Sequence, residues 1–364
     1  MSITKSWWLF NYCYKLVTFF SLQFPARNAT LYVTKQGGDY VKRYAAIAVL
    51  FFFLCSLCAC TAEPSLPSRT DFALDTVVTI TLYDTGKADA EEVLCAAFAE
   101  IERLEALLSA TRENSDVMRL NTAGGQPVTV APETAEVLAL ARRYAQLSEG
   151  ALDITIRSAS VLWDFTVGTI PEAAALQQAV SLIDYRGLHL VGHTVTLEKG
   201  AVDLGGIAKG YIADRVASVL RGKGVRSALI DLGGNIVAIG NKEGAPFRIG
   251  IKDPSATDSL CAVIEKSDMS VVTSGIYERG FDQDGVRYHH LLDPATGMPV
   301  QNTLASVTIV AEKSADADAL STACFVMGEE RARTLIESLS DTEALFVRRD
   351  GTVSATAGLD YTTP

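Results

Sequence analysis

Histidine and cysteine are scarce in this chain. Its 364 residues hold four histidines and seven cysteines, and only Cys95, Cys261 and Cys324 lie beyond residue 60. No CxxC pair or Cys/His cluster occurs, which excludes a zinc site of the usual spacing. Three widely spaced thiols leave room for one disulfide but do not make a disulfide-built fold. They are expected to be small buried apolar residues. No GxGxxG is present, and Tyr211 follows Gly205 and Gly210 where a Walker loop needs lysine, so the common phosphate loops are excluded. Basic charge is also short. Residues 60–364 carry 26 Lys/Arg against 42 Asp/Glu. A chain that acidic is a poor general binder of nucleic acid, and any anion it holds needs local donors or a metal.

The long apolar run is confined to the start. Lys42-Arg43 precedes an apolar stretch from Tyr44 to Leu57, and Leu57-Cys58-Ala59-Cys60 follows it. The stretch is shorter than the ~20 residues a spanning helix needs. The pattern predicts a lipoprotein signal over 41–59, lipidation at Cys60 and a protein tied to the cell membrane on its outer side. Residues 1–40 precede the basic start and read as an extension ahead of a true start at Val41. Pro64, Pro67 and several Ser and Thr make 60–70 a tether, and 71–364 is long enough for one large domain.

Alternation at Phe72, Leu74, Thr76, Val78, Ile80 and Leu82 predicts a strand. Helical periodicity takes over at 88–108, and a polar loop runs from Ser109 to Asn121. Helices are expected at 133–147, 171–180, 207–221 and, as a pair, 315–338. A hairpin is expected at 187–198 and a short strand at 201–204. Further strands are predicted at 227–239, interrupted by Gly233-Gly234, and at 247–251, 259–264, 270–274, 286–292 and 305–311. A last hairpin spans 343–355. Without a regular βαβ period the fold class is α+β. Asp-Leu-Gly-Gly occurs at 203–206 and at 231–234, and its simplest reading is two similar tight turns.

Three segments carry candidate chemistry. In Val202 to Gly210 a strand ends, two glycines turn the chain and a helix begins with Lys209 in its first turn. Free N–H groups at a helix start attract phosphate, and a cation there, against the helix dipole, calls for an anion. In Ser314 to Ala323, Ser314 is placed to cap a helix, and Asp318 and Thr322 share one helical face. A carboxylate with a hydroxyl suits Mg²⁺, although acidic residues at a helix start also serve the dipole. The third segment joins Thr273–Arg279 to His289–Gly297. Adjacent His289 and His290 on a strand face opposite sides, one buried and one wet, and a histidine of near-neutral pKa is a usable base.

Together the runs DLGGIAKGYIAD, SALIDLGGNI, TSGIYERGF with YHHLLDPATG, and ADADALSTA resemble the ApbE family, the FAD:protein FMN transferases. The resemblance covers about 70–360. It implies a T-fold-like core and an enzyme that binds FAD and Mg²⁺. It also implies transfer of FMN through a phosphoester to a Thr or Ser hydroxyl of an envelope flavoprotein, with release of AMP. By motif, Asp203 and Lys209 contact FAD, and Gly206, Asp318 and Thr322, with Ser321 nearby, hold the metal. His290 is the candidate catalytic residue. Leu74, Thr111, Asp153, Thr155, Tyr277 and Leu292 line the flavin or adenine pocket. Two positions depart from the pattern: Leu74-Asp75 replaces Met-Gly, and Arg157 replaces a glycine. An FAD pyrophosphatase and a non-catalytic FAD-binding lipoprotein are the alternative readings.

Overall fold

Leu74 and Asp75 both adopt the left-handed backbone (φ 54° and 56°). They split the expected strand at 72–82 into a hairpin, β1 (Ser68–Ala73) and β2 (Thr76–Asp84), whose register pairs Ala73 with Thr76. Two central residues of positive φ define a type I′ turn, which normally takes Asn-Gly. A leucine there costs roughly 1–2 kcal/mol, and that is why alternation alone read straight through it. The computed structural model describes residues 66–256 and 259–364. The extension at 1–40, the signal at 41–59, Cys60 and the tether up to residue 65 lie outside the described residues. The far end of the expected tether is not coil, because Ser68 to Thr70 belong to β1.

Helix α1 (Ala90–Leu108) is capped by Asp89, which accepts from Glu92 N–H, and buries Val93, Leu94, Ala97, Phe98, Ile101, Leu104 and Leu108. The polar loop after it contains a short helix, α2 (Asp116–Thr122), capped by the buried Ser115. Next come β3 (Val128–Thr129), α3 (Pro132–Leu147), α4 (Arg157–Ser160) and α5 (Ala173–Val180). β4 (Leu188–Val191) and β5 (Thr194–Leu197) form the hairpin expected there, and with β3 they make a small sheet. Residues 201–204 pair only through an isolated parallel bridge from Ala201 to Ile156.

From α6 (Ala208–Gly222) onward the chain builds the centre of the molecule. β6 (Ser227–Leu232) and β7 (Asn235–Ile239) are two antiparallel strands rather than one interrupted strand. β8 (Phe247–Lys252), β9 (Leu260–Lys266) and β10 (Ser270–Gly275) follow. A small hairpin, β11 (Gly280–Gln283) and β12 (Val286–His289), precedes β13 (Leu304–Ala311). The chain closes with α7 (Ser314–Met327), α8 (Glu329–Glu337), β14 (Thr342–Arg348) and β15 (Val353–Ala355).

An eight-stranded antiparallel sheet, in the order β1-β2-β6-β7-β10-β13-β14-β15, organises these parts into an α+β domain. Every residue of β13 is buried, because both faces of the sheet are covered. On one face α7 packs on β10 and β13, α6 packs on α7, and α1 packs on α6. On the other, Phe247, Ile249, Ile251, Ala262 and Ile264 of the β8–β9 hairpin cover Ala238, Val271, Val310 and Leu345. Fully buried side chains such as Phe325 and Leu320 of α7 each contribute about 1.5–3 kcal/mol. The helix that carries the candidate metal residues is therefore among the best anchored in the domain.

Of the three described cysteines, only Cys324 is buried. Cys261 is partly buried, Cys95 is exposed, and all three are free thiols. The expectation of buried apolar cysteines fails for Cys95, which lies on the solvent side of α1.

Candidate active site

Small residues bring α6 and α7 together at their starts. A Cβ on Gly210 would stand 2.2 Å from the Ser314 carbonyl oxygen and 2.7 Å from Asp318 Cβ, so only glycine admits α7 at this distance. The contact is closed by two carboxylates that cross between the helices. Gly210 N–H donates to Asp318 Oδ2 at 2.8 Å. In return, Asp214 of α6 accepts from Ser314 N–H at 2.8 Å and Ala315 N–H at 2.9 Å. Each helix start is thus neutralised by an acid from the other, as its dipole favours. Ser314 does not cap α7; its hydroxyl donates to Asn235 Oδ1.

Asp318 is 3% exposed. Burial pushes its carboxyl up from the usual range, while Lys209 and the Gly210 N–H pull the other way. One turn on, Thr322 reaches toward the Asp-Leu-Gly-Gly segment ahead of α6. A Cβ on Gly206 would lie 3.2 Å from Thr322 Oγ1 and 3.3 Å from Leu152 Cδ1. Gly206, Asp318, Thr322 and Lys209 are therefore gathered at one place, as the sequence motifs implied. Ser321 is the exception. Its hydroxyl is fully buried, donates to the Asp318 carbonyl at 2.9 Å and pairs with Ser274 Oγ at 2.8 Å. That hydroxyl helps to hold α7 to β10.

The approach to α6 is held by a side-chain clasp. Asn121 of α2 donates to the Val202 carbonyl at 2.9 Å and accepts from Val202 N–H at 2.7 Å. Asp203 N–H donates to the Ile154 carbonyl, and Gly205 N–H donates to Asp203 Oδ1 at 2.7 Å. Arg157 pairs with Asp203 Oδ2 at 3.3 Å, so the arginine that departs from the family pattern sits on a predicted FAD contact. Asp153 and Thr155 lie on the neighbouring loop, but their side chains face inward. Asp153 accepts from Thr155 N–H, the Thr155 hydroxyl and Tyr185 N–H. Thr155 Oγ1 accepts from Asp184 N–H. Asp153 is 6% exposed and Thr155 is fully buried. Both side chains are taken up in a buried loop clasp.

The third segment contributes the base of the β11–β12 hairpin. Its Asp284-Gly285 turn has two positive φ values, 51° and 77°, and its register continues so that His290 N–H donates to the Arg279 carbonyl at 3.2 Å. His289 is fully buried, with Nε2 on the Val300 carbonyl at 3.0 Å and its ring edge-on to Phe325. Burial pulls its pKa down to about 4. His290 is the wetter of the pair, with 29% of its side chain exposed, and its Nε2 lies 4.0 Å from Glu278 Oε2. Its Nδ1 lies 3.3 Å from the Arg279 carbonyl oxygen. A carbonyl only accepts, so the shared proton sits on Nδ1 and the Nε2 lone pair is free. Burial draws the pKa of His290 to about 4 as well, assisted by the charges of Lys209 and Arg279. At neutral pH the imidazole is an uncharged base.

The remaining predicted pocket residues divide. Leu74 N–H donates to Glu105 Oε1 at 3.2 Å, and Arg112, beside Thr111, pairs with Glu105 Oε2 at 2.9 Å. Glu105 thus ties the Leu74 turn to the Thr111 loop, and Arg279 Nη2 donates to the Asp75 carbonyl at 3.3 Å. The Leu74-Asp75 turn thus borders the hairpin base. Leu292, two residues past His290, is 6% exposed in a satellite core with Ala159, Trp163, Leu176 and Ala179, against which Tyr288 of the hairpin packs. Tyr277 packs over Gly275 and lines a separate cavity of about 410 Å³ with Asp253, Ser255, Arg287 and Arg349. A larger charged concavity of about 840 Å³ lies beside α8, and none of the predicted residues lines it.

Glu278, Asp214 and Asn121 fall inside the motifs without a role that the sequence assigns. The signal for Glu278 was present. Asp284-Gly285 marks a two-residue hairpin, and counting outward from it pairs position 279 with 290, which puts Glu278 beside His290.

The model of the ApbE family matches residues 74–346. The FAD:protein FMN transferase of Treponema pallidum is 38% identical over 343 residues, spanning 87% of this chain and 94% of that protein. The Haemophilus influenzae FAD:protein FMN transferase is 34% identical over 312 residues, 81% of this chain and 90% of that one. The solved ApbE protein of Thermotoga maritima superposes with a TM-score of 0.75 at 33% identity, covering 80% of this chain and 97% of that chain. The flavin transferase ApbE of Vibrio cholerae gives 0.72 at 30% identity, covering 80% and 96%. The chain belongs to the ApbE family.

Proposed function

We infer that this chain is a flavin transferase, moving FMN from FAD to a protein, and that the meeting of Asp318 with the start of α6 is where it does so. The observation that carries the reading is the Gly210 N–H bond to Asp318, with Thr322 closing on Gly206. A buried carboxylate and a hydroxyl stand together beside a lysine. Among the described residues no cluster of three or more His, Cys, Asp and Glu gathers. The donor set is hard oxygen with one negative charge, which fits Mg²⁺ that keeps further positions for phosphate and water. Asp318, Thr322 and the Gly206 carbonyl would hold it, and when bound it supplies charge neutralisation for a diphosphate.

The chain's own residues do the rest. Lys209 sets a cation next to Asp318, Glu278 and His290, each of which feels its charge, so the diphosphate meets a positive group in an otherwise acidic protein. The Asn121 clasp and the Asp153–Thr155 loop fix the segment leading into α6. His290, neutral with Nε2 free, orients the acceptor Thr or Ser hydroxyl and takes its proton. A phosphoester to the protein and free AMP are the products. The acceptor is an envelope flavoprotein subunit, consistent with a lipid anchor at Cys60 that keeps the enzyme at the membrane surface.

The test is co-expression with a flavoprotein acceptor domain. The expected result is a mass increase of one FMN on the acceptor that survives denaturation and disappears after chelation or in Asp318→Asn. Free FMN and AMP with an unmodified acceptor would instead make the chain a pyrophosphatase. Bound FAD left intact in the presence of Mg²⁺ would make it a binding protein.

A further inference from the structure

Glu278 has no place in the reaction as described above, yet its carboxylate faces the reacting side of His290. Oε2 stands 4.0 Å from Nε2, too far for a direct hydrogen bond. Nε2 is an acceptor in the resting state, because the Nδ1 proton is committed to the Arg279 carbonyl, and an ionised Glu278 carboxylate is an acceptor as well. Two acceptors turned toward each other across this gap leave a place for a donor between them. The room is built in: Gly234, at the β6–β7 turn, has no side chain where a Cβ would lie 3.7 Å from Glu278 Oε1. Glu278 and His290 are placed by the same hairpin, from opposite sides of its base.

We propose that Glu278 is a positioning residue for His290: it holds the Nε2 edge toward the acceptor hydroxyl and stabilises the imidazolium formed during transfer. The proposal rests on the reading of His290 as the base. The hydroxyl oxygen bonds to the phosphorus of the FMN half as the P–O bond to the AMP half breaks. The bonding pair leaves on the AMP phosphate, and the hydroxyl proton passes to Nε2. A positive charge then appears 4.0 Å from a carboxylate. Opposite charges at that separation favour the ionised histidine.

The charges facing the pair come from every neighbouring element. Burial in the recess, the largest influence, raises the Glu278 pKa, as Asp318 of α7 does, while Lys209 of α6, Arg279 and Lys252 of β8 favour the ionised carboxylate. Lys209, Arg279 and His289 oppose charge on His290. Among these groups, Glu278 is the carboxylate that lies 4.0 Å from the ring.

The experiment compares the wild type with Glu278→Gln, Glu278→Asp and His290→Ala. The readouts are transfer rate against pH, FAD affinity by flavin fluorescence, and the His290 titration by NMR in the absence of FAD and metal. Glu278→Gln is expected to bind FAD normally, to transfer about tenfold or more slowly, and to move the acid limb and the His290 titration about one pH unit lower. Glu278→Asp is expected to recover part of both. If His290→Ala is slow while Glu278→Gln keeps its rate and titration, the inference about Glu278 is overturned and the reading of His290 stands. If His290→Ala transfers at full rate, both fail. A His290 titration unmoved in Glu278→Gln overturns the inference even if that variant transfers slowly.

Discussion

Asp203-Leu204-Gly205-Gly206 and Asp231-Leu232-Gly233-Gly234 are the same four residues folded in two ways. In the first, neither glycine has a positive φ, the aspartate side chain accepts from Gly205 N–H, and the chain passes into α6. In the second, Gly233 and Gly234 are both left-handed (67° and 90°) and close the β6–β7 hairpin. The residues that follow decide between them. Ile207-Ala208-Lys209 continues as a helix docked on α7, while Asn235-Ile236-Val237 continues as a strand between β6 and β10. Glycine serves a different need in each. At Gly206 it admits Thr322 from another helix; at Gly233 it supplies the turn and leaves the space filled by Thr76, whose Oγ1 lies 2.0 Å from where a Cβ would stand. Both segments end against a side-chain oxygen of the site, Thr322 for one and Glu278 for the other. A tetrapeptide repeated in sequence therefore marks two walls of one site, not a repeated structure.

The difference can be broken from several sides. Asp318→Asn strikes the wall behind the first segment and should lower transfer at least ~100-fold while the fold persists, measured as single-turnover transfer alongside circular dichroism. Gly233→Ala meets both an unfavourable φ and Thr76, and should destabilise the protein by about 3 kcal/mol or more in denaturant titration. A Gly233→Ala/Thr76→Ala double variant should recover part of that loss, because the hydroxyl and methyl of Thr76 are the nearest obstacles. Gly206→Ala has no φ penalty. It should cost under about 1.5 kcal/mol of stability but weaken metal activation, read as a higher Mg²⁺ concentration for half-maximal rate. If Gly206→Ala proves the more destabilising of the two glycine variants, the assignment of their roles is reversed.

The two aspartates sharpen the comparison further. Burial raises the Asp231 carboxyl, against the N–H groups of Gly234 and Gly233. A carboxyl raised in the folded state favours folding below its unfolded pKa, and that advantage is lost as pH climbs through the folded value. Asp231→Asn should therefore gain stability relative to the wild type as pH rises through the carboxylate range, by thermal unfolding at several pH values. Asp203→Asn removes the charge facing Arg157 and should cost no more than about 1 kcal/mol, the scale of a partly exposed pair.

What the sequence disclosed depended on whether local pattern and tertiary need agreed. They agree in α1, where the apolar stripe is the buried face, and in α7, where Asp318 and Thr322 share one side. They agree at His289 and His290, where alternation correctly sends one ring inward. They disagree at Leu74-Asp75, where an apolar residue occupies a turn that chemistry would give to asparagine and glycine. At Ser321 the motif is silent on packing, for the hydroxyl also ties α7 to β10. The inward roles of Asp153, Thr155 and Leu292 were equally hidden, because a residue that lines a pocket and one that supports its wall look alike in a motif. Glu278 was legible in principle, through the Asp-Gly turn that registers it with His290.

The crossed acids Asp214 and Asp318 carry one more implication. The group that would grip a cation is also the plug for the neighbouring helix, so a cation bound there would alter the seam on which α6, α7 and the sheet behind them rest. Occupancy should be felt far from the chemistry, as a change in melting temperature and in amide protection along β10 and β13. The scaffold itself then becomes a reporter of whether the enzyme is loaded.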